Sequence, residues 1–145
     1  MFNHILVATD GSDQADKALE LALKVAGKAR VTALLVMPDY DTADLAWATF
    51  TNGPDPQGLR DHLQAAGRRR LDAALRRHDP HSHRVERLVA VSDQPYQEIV
   101  DSATREGCDL IVMASRGRGM LSSMLLGSQT ARVIALSSVP VLVAP

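Results

Sequence analysis

The sequence predicts an α/β domain, a single parallel sheet with helices on both faces. Five short apolar runs recur along the chain: Ile5 to Ala8, Val31 to Met37, Val85 to Val91, Leu110 to Ala114, and Val139 to Ala144. Most are continuous rather than alternating and rich in Val, Ile and Leu, as strands covered on both faces are. Between them the apolar period lengthens to that of a helix, and strands alternating with helices build parallel sheets with right-handed crossovers.

The elements follow in order. After the first run, Gln14 to Gly27 carries Ala15, Ala18, Leu19, Ala22 and Val25 on one stripe, with Gly27 as its stop. After the second run, residues 38–57 break the rhythm, with Pro38, Gly53, Pro54 and Pro56 among Asp and Thr residues. Their length exceeds an ordinary connection, so a mobile excursion with a little helix is expected. Leu59, Leu63, Ala66 and Ala74 suggest a second helix. Pro95 holds a position favoured in a first helical turn, Ile99, Val100 and Ala103 follow it, and Gly107 ends that helix. Ser128 to Ser137, with Ala131, Ile134 and Ala135, is the last.

With 145 residues and 46% apolar content, the chain has the size of one domain, residues 1–145. Such a core hides roughly two-thirds of the unfolded surface. Lys plus Arg number 16 against 17 Asp plus Glu, which excludes a polybasic nucleic-acid coat and an acidic disordered tail. Aromatic residues make up only 3%, too few for a stacking platform, so no nucleic-acid partner is expected. The single Cys108 and the lack of an export signal point to the reducing cytoplasm. No apolar run approaches the ~18 residues of a membrane span, so no membrane partner is expected either.

Ligands of open parallel sheets bind beyond the carboxyl ends of the strands. The first strand ends in Thr9-Asp10-Gly11-Ser12-Asp13. There Asp10 can accept hydrogen bonds from a ligand, Gly11 lets the chain turn, and Ser12 or Asp13 can cap the next helix. Taken alone, this segment reads more readily as a capping turn. The fourth strand ends in Ala114-Ser115-Arg116-Gly117-Arg118-Gly119, and ten residues past Gly117 Gly127-Ser128 opens the final helix. Glycines allow close approach of backbone N–H groups to an anion, and a helix start adds unpaired donors and about half a positive charge. Gly127 and Ser128 therefore suit a phosphate, although Ser128 standing alone would be an ordinary cap contributing about 1 kcal/mol. A Walker loop, a G-x-G-x-x-G after the first strand, an acidic receiver cluster and a Ser-His-Asp set at strand ends are all missing, leaving no visible nucleophile.

These residues resemble the universal stress protein family. The likeness rests on Ile5-Leu6-Val7-Ala8-Thr9-Asp10-Gly11-Ser12, on Cys108-Asp109-Leu110-Ile111-Val112-Met113, on Gly117 with Gly127-Ser128 in a G-x9-G-[ST] block, and on Val139-Pro140-Val141-Leu142-Val143. It implies a Rossmann-like, three-layer sandwich whose five-stranded parallel sheet has the order 3-2-1-4-5. Similarity to the ATP-binding branch implies that Asp10 and the Val36 backbone hold adenine, that Ala114 and its neighbours face ribose, and that Gly117, Gly127 and Ser128 contact phosphates. Thr9 and Gly119 belong to the same binding set, and Arg116 or Arg118 is placed to neutralise charge. Mg²⁺ would accompany ATP. The family pattern is G-x2-G-x9-G-[ST], and its first glycine is Ala114 here. If that position needed positive φ or very close approach, strain of roughly 1 kcal/mol would weaken binding less than about tenfold.

The resemblance also implies a homodimer built through Val139 to Ala144, which covers an apolar edge strand. The expected function is that of an ATP-binding, stress-response regulator with slow or no hydrolysis and an unidentified protein partner. A nucleotide-independent homodimeric interaction module and a weak ATPase are the alternatives. Residues 38–57 are long enough for a lid, with Trp47 or Phe50 against the base. His78, His81 and His83 read as a solvated turn rather than a metal site, and Arg68, Arg69, Arg70, Arg76 and Arg77 as a solvent-facing helix. Cys108, Met113, Met120 and Met124 are assigned to packing.

Overall fold

The computed structural model describes residues 1–39, 56–78, 85–117 and 126–145. Its elements are β1 (His4–Thr9), α1 (Asp13–Ala26), β2 (Arg30–Met37), α2 (Pro56–His78), β3 (Val85–Val91), α3 (Pro95–Arg105), β4 (Leu110–Ala114), α4 (Ser128–Leu136) and β5 (Val141–Ala144). The sheet order is β3-β2-β1-β4-β5, with every neighbouring pair parallel, as expected.

Side chains along the central strands alternate between two cores. Ile5 and Val7 of β1 face α1 and α2, where they meet Leu19, Leu63 and Leu71. Leu6 points the other way, to Ile99 and Ala103 of α3 and Val133 of α4. Because both faces are covered, Ile5, Leu6 and Val7 are all 0% exposed, which explains why β1 reads as a continuous apolar run.

Two elements differ from expectation. The last strand starts at Val141, not Val139, because Val139 is drawn into a local turn: its N–H donates to Ser137 Oγ, which donates back to the Val139 carbonyl. Pro140 has no N–H to give, and contributes only its carbonyl, which accepts from Ile111 N at 3.0 Å. The second helix is longer than its few apolar markers implied. It starts at Pro56, inside the expected excursion, and runs 23 residues. Leu63, Leu71, Ala74 and Leu75 form its buried stripe, and the arginines between them conceal that stripe in the sequence. Residues 40–55, with Trp47 and Phe50 of the expected lid, lie outside the described residues.

Gly67 lets α2 lie close on the sheet. A Cβ there would stand 2.5 Å from Val89 Cγ1 and 2.9 Å from Met37 Cγ. At the amino end of the sheet, Asp109 accepts from Asn3 N at 2.8 Å and His4 N at 3.0 Å, joining the starts of β1 and β4. These N–H groups hold its carboxyl below the usual aspartate value.

Candidate functional site

The turn after β1 is built by its own side chains. Thr9 Oγ1 accepts from Gly11 N at 3.1 Å, and Asp10 Oδ1 accepts from Ser12 N at 2.9 Å. Gly11 has φ +77°, which an L side chain rarely adopts. Ser12 caps α1 by accepting from Ala15 N at 3.2 Å. The capping role is therefore real, and it orients the carboxylate: with Oδ1 engaged in the turn, Oδ2 faces the loop after β4. A Cβ on Gly117 would lie 3.2 Å from it.

The end of β4 is tied to the start of α4. Gly127 N donates to the Ser115 carbonyl at 2.7 Å, and the buried Thr130 hydroxyl donates to the Ala114 carbonyl at 2.9 Å. Gly127 thus spends its N–H on the protein, and what it offers a ligand is space. A Cβ on it would meet Ser115 O at 3.3 Å and the Arg116 Cα at 3.5 Å. The first N–H groups inside α4, those of Ser128, Gln129 and Thr130, have no acceptor within the helix and are the donors of this end. Ala114 closes β4 and pairs with Ala144, so its backbone is extended and needs no positive φ.

These pieces surround one cavity of about 350 Å³ at the carboxyl ends of β1, β2 and β4. Thr9, Asp10, Val36, Ala114, Arg116, Gly117, Gly127 and Ser128 all line it. Arg118 and Gly119 lie outside the described residues. The inner wall comes from Leu34, Ile99 and Met113, and the mouth from Pro95, Gln129 and Thr130. Sequence reasoning missed Gln129, although its place directly after Ser128 was a usable signal. Leu34 and Ile99 gave none, because their side chains read as ordinary core. The resulting space has an apolar floor, a carboxylate on one side and helix N–H groups on the other, which suits a flat ring joined to an anion.

The family model for universal stress proteins matches residues 1–145. The chain belongs to the universal stress protein family. A universal stress protein of Thermus aquaticus is 34% identical over 143 residues, covering 98% of each chain. The solved structure of MJ0577, a universal stress protein of Methanocaldococcus jannaschii, superposes with a TM-score of 0.76 at 30% identity, covering 99% of this chain and 96% of that one. A universal stress protein solved in complex with cAMP shares the fold, at 23% identity and a TM-score of 0.60, with 99% and 97% covered.

In this universal stress protein several other sequence features find plain structural roles. His78 lies between Asp16, 3.1 Å away, and Glu20, 3.3 Å away, where α2 ends against α1. His81 and His83 fall outside the described residues, among which no group of three His, Cys, Asp or Glu side chains is placed to hold a metal. Cys108 is buried in the α3 and α4 core, and burial pushes its thiol up to about 11, so it packs rather than reacts. Among the described residues no helix is long and apolar enough to cross a membrane.

Proposed function

We propose that this universal stress protein binds ATP in the cleft between Asp10 and α4 and works as a nucleotide-dependent regulator of a stress response. The supporting observation is the meeting of the Asp10 carboxylate, the Gly117 loop and the α4 start around one cavity. Adenine fits against Leu34, Ile99 and Met113, with Asp10 and the Val36 backbone to hydrogen-bond its edge. Ribose follows at Ala114, and phosphates reach Gly117, Ser128 and the first N–H groups of α4, with Arg116 on the cavity wall or, by its position in the sequence, Arg118 to balance charge. That a universal stress protein of this fold has been solved with cAMP agrees with an adenine nucleotide as ligand.

Mg²⁺ fits this donor set only as a companion of the nucleotide. Asp10 is the one carboxylate on the cavity wall among the described residues, and its Oδ1 is already engaged by Ser12 N. The ion would be held chiefly by phosphate oxygens and water, as Mg²⁺ commonly is, with Ser128 Oγ as a nearby hard ligand. Among the described residues the same scarcity of carboxylates leaves no general base for water on the cavity wall, which agrees with slow or no hydrolysis.

β5 lies at the sheet edge with β4 as its partner, and Ile134 and Leu136 of α4 are exposed at 46% and 53%. A homodimer through Val139 to Ala144 would pair that edge and cover apolar surface. The dimer, once loaded, would present its nucleotide state to a further protein.

The test is to denature freshly purified protein, quantify ATP, ADP and AMP per chain by ion-exchange chromatography, and titrate the emptied chain with Mg-ATP by calorimetry. Near-stoichiometric nucleotide, or saturable binding, is expected. A bulky residue in place of Gly127 should remove that binding and leave the circular-dichroism spectrum unchanged. An empty chain that gives no heat with Mg-ATP overturns the reading in favour of a nucleotide-independent interaction module.

A further inference from the structure

We infer that Gln129 is a specificity-determining residue of this cleft: one end of its carboxamide holds α3, and the other donates to the anionic part of the ligand. The inference rests on the nucleotide-binding reading above and names a side chain that discriminates among nucleotides by charge.

The amino end of α3 is incompletely capped. Pro95 opens α3 and has no N–H, and Gln94 at the cap position makes no side-chain capping bond. Gln97 N and Glu98 N both donate to the Gln94 carbonyl at 3.1 Å, which leaves the N–H of Tyr96. Its acceptor comes from another helix: Gln129 Oε1 lies 3.0 Å away, 33 residues along the chain.

That bond determines which way the carboxamide points. A backbone N–H only donates, so the end at Tyr96 is the oxygen and the NH₂ is the opposite end. Among the described residues this NH₂ has no acceptor, whereas Gln129 lines the cavity beside Ser128 and Pro95. The anchor is itself braced. Arg132, on the same face of α4 one turn later, sits 4.9 Å from the centre of the Tyr96 ring, and the Tyr96 hydroxyl donates to Gln94 Oε1 at 3.2 Å.

A glutamine side chain normally loses much rotamer freedom when it grips a ligand. Here the bond to Tyr96 has already ordered it, so its NH₂ is a preorganised neutral donor next to the free N–H groups of Ser128 and Gln129. Such a donor favours phosphate oxygens and gains with the charge of the ligand. Adenosine, lacking phosphate, gains nothing from it.

Two variants of the full chain test this, with ATP, AMP and adenosine titrated by calorimetry. Gln129→Glu keeps an acceptor for Tyr96 N–H and places negative charge at the start of α3, where it is tolerated, but turns the donor into an anion. Its melting temperature is expected to match wild type, with ATP affinity falling on the order of tenfold or more, AMP affinity less, and adenosine not at all. Gln129→Ala removes donor and cap together. It is expected to weaken ATP several-fold and to speed hydrogen exchange at the Tyr96 amide. Unchanged ATP affinity in Gln129→Ala overturns the donor role, as does an equal loss for all three ligands, which would mark a purely structural effect. Wild type that binds none of the three overturns the nucleotide reading itself, a result separate from failure in the variants alone.

Discussion

The Asp10 carboxylate stands where a side chain on Gly117 would begin, with Oδ2 3.2 Å from the position of the missing Cβ. The two residues lie at the ends of neighbouring strands, β1 and β4, and close one side of the cavity. Because Oδ1 is held by Ser12 N, the carboxylate cannot swing away without giving up the turn that starts α1.

Gly117→Val should therefore weaken Mg-ATP binding by at least about tenfold. The added branches meet a carboxylate that cannot move aside freely, while Gly117 itself is exposed and outside the core, so the fold stays intact. Calorimetry and thermal melting on one sample check both halves. Wild-type affinity in this variant would separate the Asp10 and Gly117 contact from the ligand.

Ala114→Gly places a glycine where the G-x2-G-x9-G-[ST] pattern led us to expect one, yet it should not tighten nucleotide binding by more than about twofold. Ala114 is extended and paired with Ala144, so there is no strain for glycine to relieve. The variant should instead lose roughly 0.5–1 kcal/mol of stability, the usual cost of glycine inside a regular element. A tenfold gain in affinity would mean that the methyl group, rather than the backbone, opposes the ligand.

Gly67→Ala tests the contact of α2 with the sheet. Alanine improves helix propensity by about 1 kcal/mol, but overpacking a tight contact costs about 1–3 kcal/mol, so a net loss of roughly 1 kcal/mol is expected. Since the closest atom is Val89 Cγ1, at 2.5 Å from the added carbon, the double variant with Val89→Ala should lose less than the sum of the single changes. Strict additivity in urea unfolding would place the strain elsewhere.

Asp109 gives the stability a defined pH response. The donors at Asn3 and His4 lower its folded pKa below the ordinary 3.8, so its contribution is present above that value and is lost as the pH falls through the lowered one. Asp109→Asn should accordingly lower the urea midpoint at pH 7, and the gap from wild type should close in strongly acidic buffer. A gap of constant size across pH would assign the effect to packing alone.

Much of the architecture could be read along the chain because burial on both sides of a parallel sheet leaves a local mark. Ile5, Leu6 and Val7 form an unbroken apolar run because each face of β1 is covered, and the helix stripe of Ala15, Ala18, Leu19 and Ala22 repeats for the same reason. Turn chemistry is equally local: Thr9 to Ser12 carry the donors, acceptors and glycine that their own backbone needs.

Partners distant in sequence required the tertiary structure. Pro56 and Gln57 of α2 read as the end of a loop, and the helix behind Leu59, Leu63, Ala66 and Ala74 read as weakly marked, because a helix rich in arginine shows its apolar stripe only against the sheet that covers it. That Gly127 offers space instead of its N–H follows from Ser115, which the docking of α4 on β4 brings within 2.7 Å. The Gln129 bond to Tyr96 depends on two helices lying side by side on one face of the sheet. Periodicity records which face of an element is buried, whereas the choice of what buries it is made by strand order and helix docking, and those determine which ends of the chain meet in the cleft.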